Sequence, residues 1–248
     1  MKNIGEFNAI QYWRQRLSKN PDLRGTGTSY APIDWQYWLY QGKERAYLRL
    51  LKRSGIDVRR LYILNFGCGT GYFEDFWEKL GAFRADGLDI VPDLIEKLKL
   101  KYPYRKYHCA DISRDRLVIK DFDSPQLITA IDVLYHIVDD NILSKTIDAL
   151  ASIISDNGYF LFTDSCNISK TAGIHVHFRT IKEWNDILKR VGLFFISKEP
   201  VFAVNNNVLR GIGRVPYIMG ATQHYLDYIF LKLFPWMANN WVFLAKKY

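Results

Sequence analysis

The sequence predicts an α/β protein built on a doubly wound, mostly parallel, seven-stranded sheet. Three observations carry that prediction. From Leu61 onward, short apolar runs alternate with stretches of helical periodicity, the order that produces parallel sheets. Residues 126–133 lack polar alternation, as a strand buried on both faces does. A glycine cluster closes the first apolar run and opens a helix, where the backbone must turn tightly.

Before that alternation, residues 1–60 read as a helical extension around a Gly/Pro-rich loop, NPDLRGTGTSYAP (20–32). LYILNF (61–66) is the first strand. A helix follows over 72–80, with Phe73, Phe76, Trp77 and Leu80 spaced along one face. RADGLDI (84–90) is the second strand, and Pro92 starts a helix that runs to Tyr102. A short third strand covers 106–110, a fourth 126–133, and a helix 139–154. Asp156-Asn157-Gly158 ends that helix, and 159–163 is the fifth strand. Thr180 and Glu183 form a capping box for a helix that Gly192 closes. The last two strands are expected at 194–204 and 241–246, separated by an insertion at about 205–240. The chain therefore divides into an N-terminal extension or lid, 1–60, and a main domain, 61–248, with its core in 61–202.

Composition excludes several classes. A hydrophobic fraction of 48% with 24% charged residues belongs to a core-forming protein and not to a disordered one. Cys68, Cys109 and Cys166 are too few and too scattered for a disulfide framework or a cysteine zinc site. The first residues hold no apolar signal core. The most apolar stretch, 225–245, is interrupted by Asp227, Lys232, Pro235, Asn239 and Asn240. A soluble, cytoplasmic protein is expected. The net charge of +8 is uneven: +7 over residues 1–60, −3 over 61–202 and +4 over 203–248. Basic flanks attract an anionic substrate, a nucleic acid or a membrane surface, or serve solubility.

The loop Asn65-Phe66-Gly67-Cys68-Gly69-Thr70-Gly71 joins a strand to a helix. Such a turn lets a ligand approach the backbone and the unpaired N–H groups of a helix start. Asp89 ends the next strand, 18 residues after Gly71, where a carboxylate can take both hydroxyls of a ribose. A nucleotide-type ligand follows. The GxxxxGK[ST] phosphate loop is absent, and G-x-G-x-G spacing disfavours a dinucleotide.

With LNFGCGTGYF (64–73), GLDIVPDLI (87–95), CADIS (109–113), AIDVLYHIVDD (130–140) and DNGYFLFTD (156–164) in this order, the sequence resembles the class I S-adenosylmethionine-dependent methyltransferases. The resemblance covers over half the chain and implies the Rossmann-like methyltransferase fold, its last two strands antiparallel, and S-adenosyl-L-methionine as cofactor. It places the methionine end of that cofactor at Phe66, Gly67, Gly69 and Gly71. Asp89 would hold the ribose, with Ile90 against the adenine. Asp111 would bond the adenine amino group, with Ile112 on the ring, and Asp132 and Val133 would approach the sulfonium. Asn65 departs from the family, which often carries an acid there.

An alcohol acceptor must lose a proton during transfer, and an imidazole suits that task near neutral pH. His136 follows the fourth strand and is the candidate general base; Asp164, at the end of the fifth, is expected to orient it or share its role. A His–carboxylate pair there resembles some sugar O-methyltransferases. A cap at a helix start is the plainer role for His136. His175 and Arg179 are candidate substrate-binding residues, and no metal site is read. The acceptor is expected to be a small molecule, a sugar or another biosynthetic metabolite, and the basic flanks favour an anionic one. RNA or amine methylation, and cofactor binding without catalysis, are the alternatives. The 205–240 insertion is expected to cover the substrate, form a homodimer interface or touch a membrane surface.

Overall fold

The computed structural model describes residues 7–27, 29, 31–165, 169–171, 174–202 and 217–248. Its centre is a seven-stranded sheet formed by β1 (Tyr62–Phe66), β2 (Arg84–Asp89), β3 (Tyr107–Cys109), β4 (Leu127–Ala130), β5 (Tyr159–Asp164), β8 (Leu193–Phe202) and β9 (Asn240–Lys247). The order across the sheet is β3-β2-β1-β4-β5-β9-β8. The first five strands are parallel, and β9 runs antiparallel to both β5 and β8. The expected strand 194–204 ends at Phe202; positions 203 and 204 lie outside the described residues, as do 205–216 of the insertion and Cys166.

Successive strand residues point to opposite faces, and both faces are covered. Ile63, Leu127, Leu161, Val242 and Leu244 meet α3 (Ile33–Arg53) and α4 (Tyr72–Lys79) through Tyr47, Leu50, Phe73 and Trp77. Leu64, Ile128, Phe160, Phe162 and Phe243 meet α6 (Asp140–Ile153) and α7 (Ile181–Lys189) through Leu143, Ile147, Leu150, Trp184 and Leu188. The helix α5 (Pro92–Lys101) covers β3 with Ile95 and Leu98. Thr180 and Glu183 make the reciprocal capping box at the start of α7.

Two local features differ from expectation. β4 stops at Ala130 instead of continuing to Val133, because Asp132 adopts a left-handed backbone, φ 56°, and 134–136 form a 3-10 turn. A two-stranded hairpin, β6 (Lys170–Thr171) with β7 (His177–Phe178), occupies what reads as a loop; strands this short leave no periodic signal.

The basic N-terminal region forms α1 (Ala9–Lys19), α2 (Leu23–Thr26) and α3, around the loop 20–32, of which Thr28 and Tyr30 lie outside the described residues. α3 is a layer of the fold itself, whereas α1 lies across the carboxyl ends of the strands. Arg16 of α1 ties that helix to α2 by donating to the carbonyls of Gly25 and Gly27. After position 216, α8 (Tyr217–Leu233) packs on α3 and β8.

Candidate functional site

β1 and β4 are neighbours in the sheet but their crossovers leave in opposite directions, and such a switch point opens a crevice at the carboxyl ends of the strands. A cavity of about 630 Å³ lies there. Its floor is the glycine loop. Gly67, Gly69 and Gly71 all have positive φ, 73°, 53° and 80°, and the N–H groups of Gly67 and Cys68 donate to the Leu88 carbonyl, pinning the loop to β2. A Cβ on Gly67 would collide with Val133, and one on Gly69 would lie 2.7 Å from Thr26 Cγ2. Phe66, Gly67 and Gly69 border the cavity. Gly71 does not: it caps α4, and a Cβ there would meet Leu98.

The acids along the wall are held by local bonds. Asp89 accepts from the N–H of Gly69 at 3.0 Å and of Val91 at 3.1 Å, leaving lone pairs on both oxygens. Burial pushes its carboxyl above the ordinary range, against the pull of those N–H groups. Asp111 accepts from the backbone and hydroxyl of Ser113, so a short polar loop presents it. Ile90 and Ile112 border the cavity between them. Asp132 and Val133 form the opposite wall, at the end of β4.

Asp132 is an ion-pair partner as well as a wall residue. Lys43, buried on α3, donates to its Oδ2, and the Thr163 hydroxyl to Oδ1. Burial pushes the Asp132 carboxyl up, yet the Lys43 charge and these hydrogen bonds outweigh it and hold the pKa below the usual range. Lys43 rises above its ordinary value for the matching reason, against its own burial.

Asn65 sits under the loop and not on the cavity wall. It accepts from the Thr129 hydroxyl at 2.9 Å and donates to Glu74 Oε2 at 3.3 Å. Glu74 lies nine residues on, within the core. Burial pushes it to about 8, so it is mostly protonated near neutral pH.

His136 borders the cavity. Its Nδ1 lies 2.8 Å from the His175 carbonyl; only a protonated Nδ1 can donate there, which leaves Nε2 as the acceptor in the neutral ring. Burial lowers its pKa to about 4, against the carbonyl bond, which raises it. The Trp13 ring stands edge-on to it at 4.8 Å, and His175 stacks at 5.5 Å. His175 itself is behind this wall, its Nε2 3.1 Å from the Tyr12 hydroxyl.

Asp164 and Arg179 are not brought to the cavity. Asp164 is fully buried, accepting from Trp184 Nε1 at 2.6 Å and from the Ser165 N–H, and burial raises it to about 6. Arg179 is buried too, paired with Asp140 at 2.7 Å and donating to the carbonyls of Ile137 and His177. It braces the segment after His136. Among the described residues no group of three or more His, Cys, Asp or Glu could hold a metal.

Sequence reasoning missed Lys43, Trp13, Leu17, Thr26 and Tyr40. All but Lys43 border the cavity, and Lys43 stands behind Asp132. Their aromatic and basic types mark the region, but only tertiary contact assigns individuals.

A family model described as a methyltransferase domain matches residues 35–198. The chain belongs to that methyltransferase family. Solved structures share the fold of this methyltransferase over nearly its whole length. The N-methyltransferase NodS from Bradyrhizobium japonicum WM9, in complex with S-adenosyl-l-homocysteine, superposes with a TM-score of 0.64 at 15% identity, covering 97% of this chain and 99% of that one. Magnesium protoporphyrin IX methyltransferase from Synechocystis PCC 6803, with bound SAM, gives 0.59 at 13% identity, covering 98% and 99%. A sequence relative, the malonyl-[acyl-carrier protein] O-methyltransferase of Hamiltonella defensa subsp. Acyrthosiphon pisum (strain 5AT), is 41% identical over 64 residues. That match spans 26% of this chain and about a quarter, 24%, of the relative's length.

S-adenosylmethionine fits the residues present. The glycine floor leaves no room for a Cβ at Gly67 or Gly69, a carboxylate with free lone pairs ends β2, and the volume lies in the range of small-ligand and cofactor sites.

Proposed function

We propose that this methyltransferase methylates a hydroxyl of a small molecule, a sugar or another biosynthetic metabolite, with His136 as general base. The observation that carries the reading is His136 on the cavity wall, neutral, with Nδ1 committed to a carbonyl and Nε2 left to accept. When bound, S-adenosylmethionine supplies an electrophilic methyl group on a sulfonium.

The chain's own residues divide the remaining work. The floor at Gly67 and Gly69 and the carboxylate of Asp89 hold the methionine and ribose parts; Asp111, Ile90 and Ile112 hold the adenine. Val133 and the Lys43-paired Asp132 line the reactive end. His136 Nε2 takes the hydroxyl proton, and the His175 carbonyl stabilises the imidazolium that forms. Trp13, Ile10 and Leu17 of α1 roof the cavity and keep water from the acceptor.

The acceptor favoured by this wall is neutral. Asp89, Asp111, Asp132 and Asp139 border the cavity, whereas Arg114 is its one cationic wall residue among the described residues, 3.5 Å from Asp111. Arg179, a candidate substrate-binding residue, is spent on Asp140. The name of the partial relative, an O-methyltransferase, accords with an oxygen acceptor. RNA as acceptor rests on the basic charge and the exposed aromatics, and nothing in the cavity favours it.

The test is transfer of a labelled methyl group across a panel of hydroxylated metabolites. His136→Gln should lower turnover about 10²–10⁴-fold with cofactor affinity nearly intact, the scale expected for losing a general base. Wild-type activity should stay flat down to mildly acid pH and fall only as the imidazole protonates near pH 4. Full activity in His136→Gln sinks the base assignment.

A further inference from the structure

We propose that the outer face of α8, with the turn that follows it, is a seat for an anionic lipid surface. The helix is amphipathic in a particular way. Asp227 and Leu231 are buried against the protein, with Phe230 beside them. Tyr225, Leu226, Ile229 and Leu233 point outward at helical spacing, and the stripe continues through Phe234, Trp236 and Met237. Tyr225, Leu233 and Trp236 are 63%, 60% and 69% exposed. A contiguous run of large apolar groups in water marks an interaction surface. No described residue of α8 borders the cofactor cavity, so this face is not part of the site above.

Charge identifies the partner. The one acid of α8, Asp227, is buried. Lys232 lies within the exposed stripe. Beside it, Arg49 of α3 stands over the Tyr228 ring at 5.6 Å, and Arg49 and Arg53 share the single carboxylate of Glu199, which is itself buried. Lys198 lies over Trp241, which packs on the inner side of α8. The face therefore shows water aromatic rings, aliphatic side chains and more cations than carboxylates. Tyr and Trp rings flanked by Lys and Arg suit the boundary between headgroups and acyl chains of an anionic membrane.

A second copy of the chain fits less well. A two-fold interface would set this cation excess against itself, and charged groups are depleted from the centres of protein interfaces. Spanning is excluded for α8 by its length: 17 residues reach roughly 25 Å, and no helix among the described residues is long and apolar enough to cross a membrane. It would lie along the surface.

The test uses the full chain and sedimentation with phosphatidylcholine vesicles, with and without phosphatidylglycerol. Wild type should co-sediment with the phosphatidylglycerol vesicles and be released by salt. Tyr225→Ser/Leu233→Ser/Trp236→Ser should partition about tenfold less or weaker still. Lys232→Glu, a change at an exposed position, should weaken binding to anionic vesicles alone. Circular dichroism and S-adenosylhomocysteine titration should match wild type in both variants, since neither touches the cavity. Three results would each overturn the proposal: no binding to anionic vesicles, equal partitioning of wild type and the triple variant, or a wild-type dimer in analytical ultracentrifugation that the triple variant lacks. Because the readout is lipid binding, its failure leaves the methyl-transfer reading untouched, and failure of that reading leaves this one standing.

Discussion

Asp132 holds its carboxylate on a left-handed backbone at the cavity wall, and its charge is balanced from 89 positions away by Lys43. A buried pair broken from one side is strongly destabilising, because the remaining charge has no partner. Lys43→Met should therefore cost about 3 kcal/mol at pH 8. Without its cation, burial raises the Asp132 pKa above the unfolded value, so the loss should shrink as pH falls and the carboxyl protonates. Lys43→Met/Asp132→Asn should be more stable at pH 8 than Lys43→Met alone; chemical denaturation across that double-mutant cycle measures the coupling. Equal stability of the two would show that the pair is not coupled. At this scale the sequence shows what is local in the chain. Gly67, Gly69 and Asp89 are legible because a tight turn and a strand end constrain residue type over a few positions. Lys43, and the commitment of Asp164 to Trp184, depend on contacts between distant segments and leave no local trace.

Among the elements, β1, β4 and β5 are legible because each is a largely apolar run buried on both faces. The early end of β4 and the β6–β7 hairpin are not, because a left-handed Asp132 and the turn after it end one and the other is only two residues per strand. The element with most consequence for the site is α1. It begins on an Asn8 cap, pairs Arg14 with Asp93 at the start of α5, and presents Trp13 to His136. It roofs the cavity yet buries only Leu17 among its residues, so local opening should be easy. S-adenosylhomocysteine should slow amide exchange across residues 9–19 more than across α6. Trp13→Ala should weaken that ligand by on the order of 1 kcal/mol through lost apolar contact. Unchanged exchange in α1 on saturation would show that it does not close over the ligand.

For the molecule as a whole, stability and function meet beneath the glycine loop. Glu74 is fully buried beside Asn65, with its pKa raised to about 8. A carboxyl whose folded pKa exceeds its unfolded one contributes stability at low pH that is lost as pH rises through the folded value. Glu74→Gln removes that titration, so it should gain on wild type between about pH 5 and 8, by on the order of 3 kcal/mol. Parallel pH-dependent unfolding curves for the two proteins would contradict this placement of Glu74. The same loop is the floor on which the functional account rests, and one titration tests it directly. Calorimetry of S-adenosylhomocysteine into wild type should show a single saturable site, and Asp89→Ala should weaken it by about 1–3 kcal/mol, the worth of hydrogen bonds to a buried polar ligand. No binding to wild type, or identical affinity in Asp89→Ala with the fold intact, would contradict the assignment of this cavity as the cofactor site.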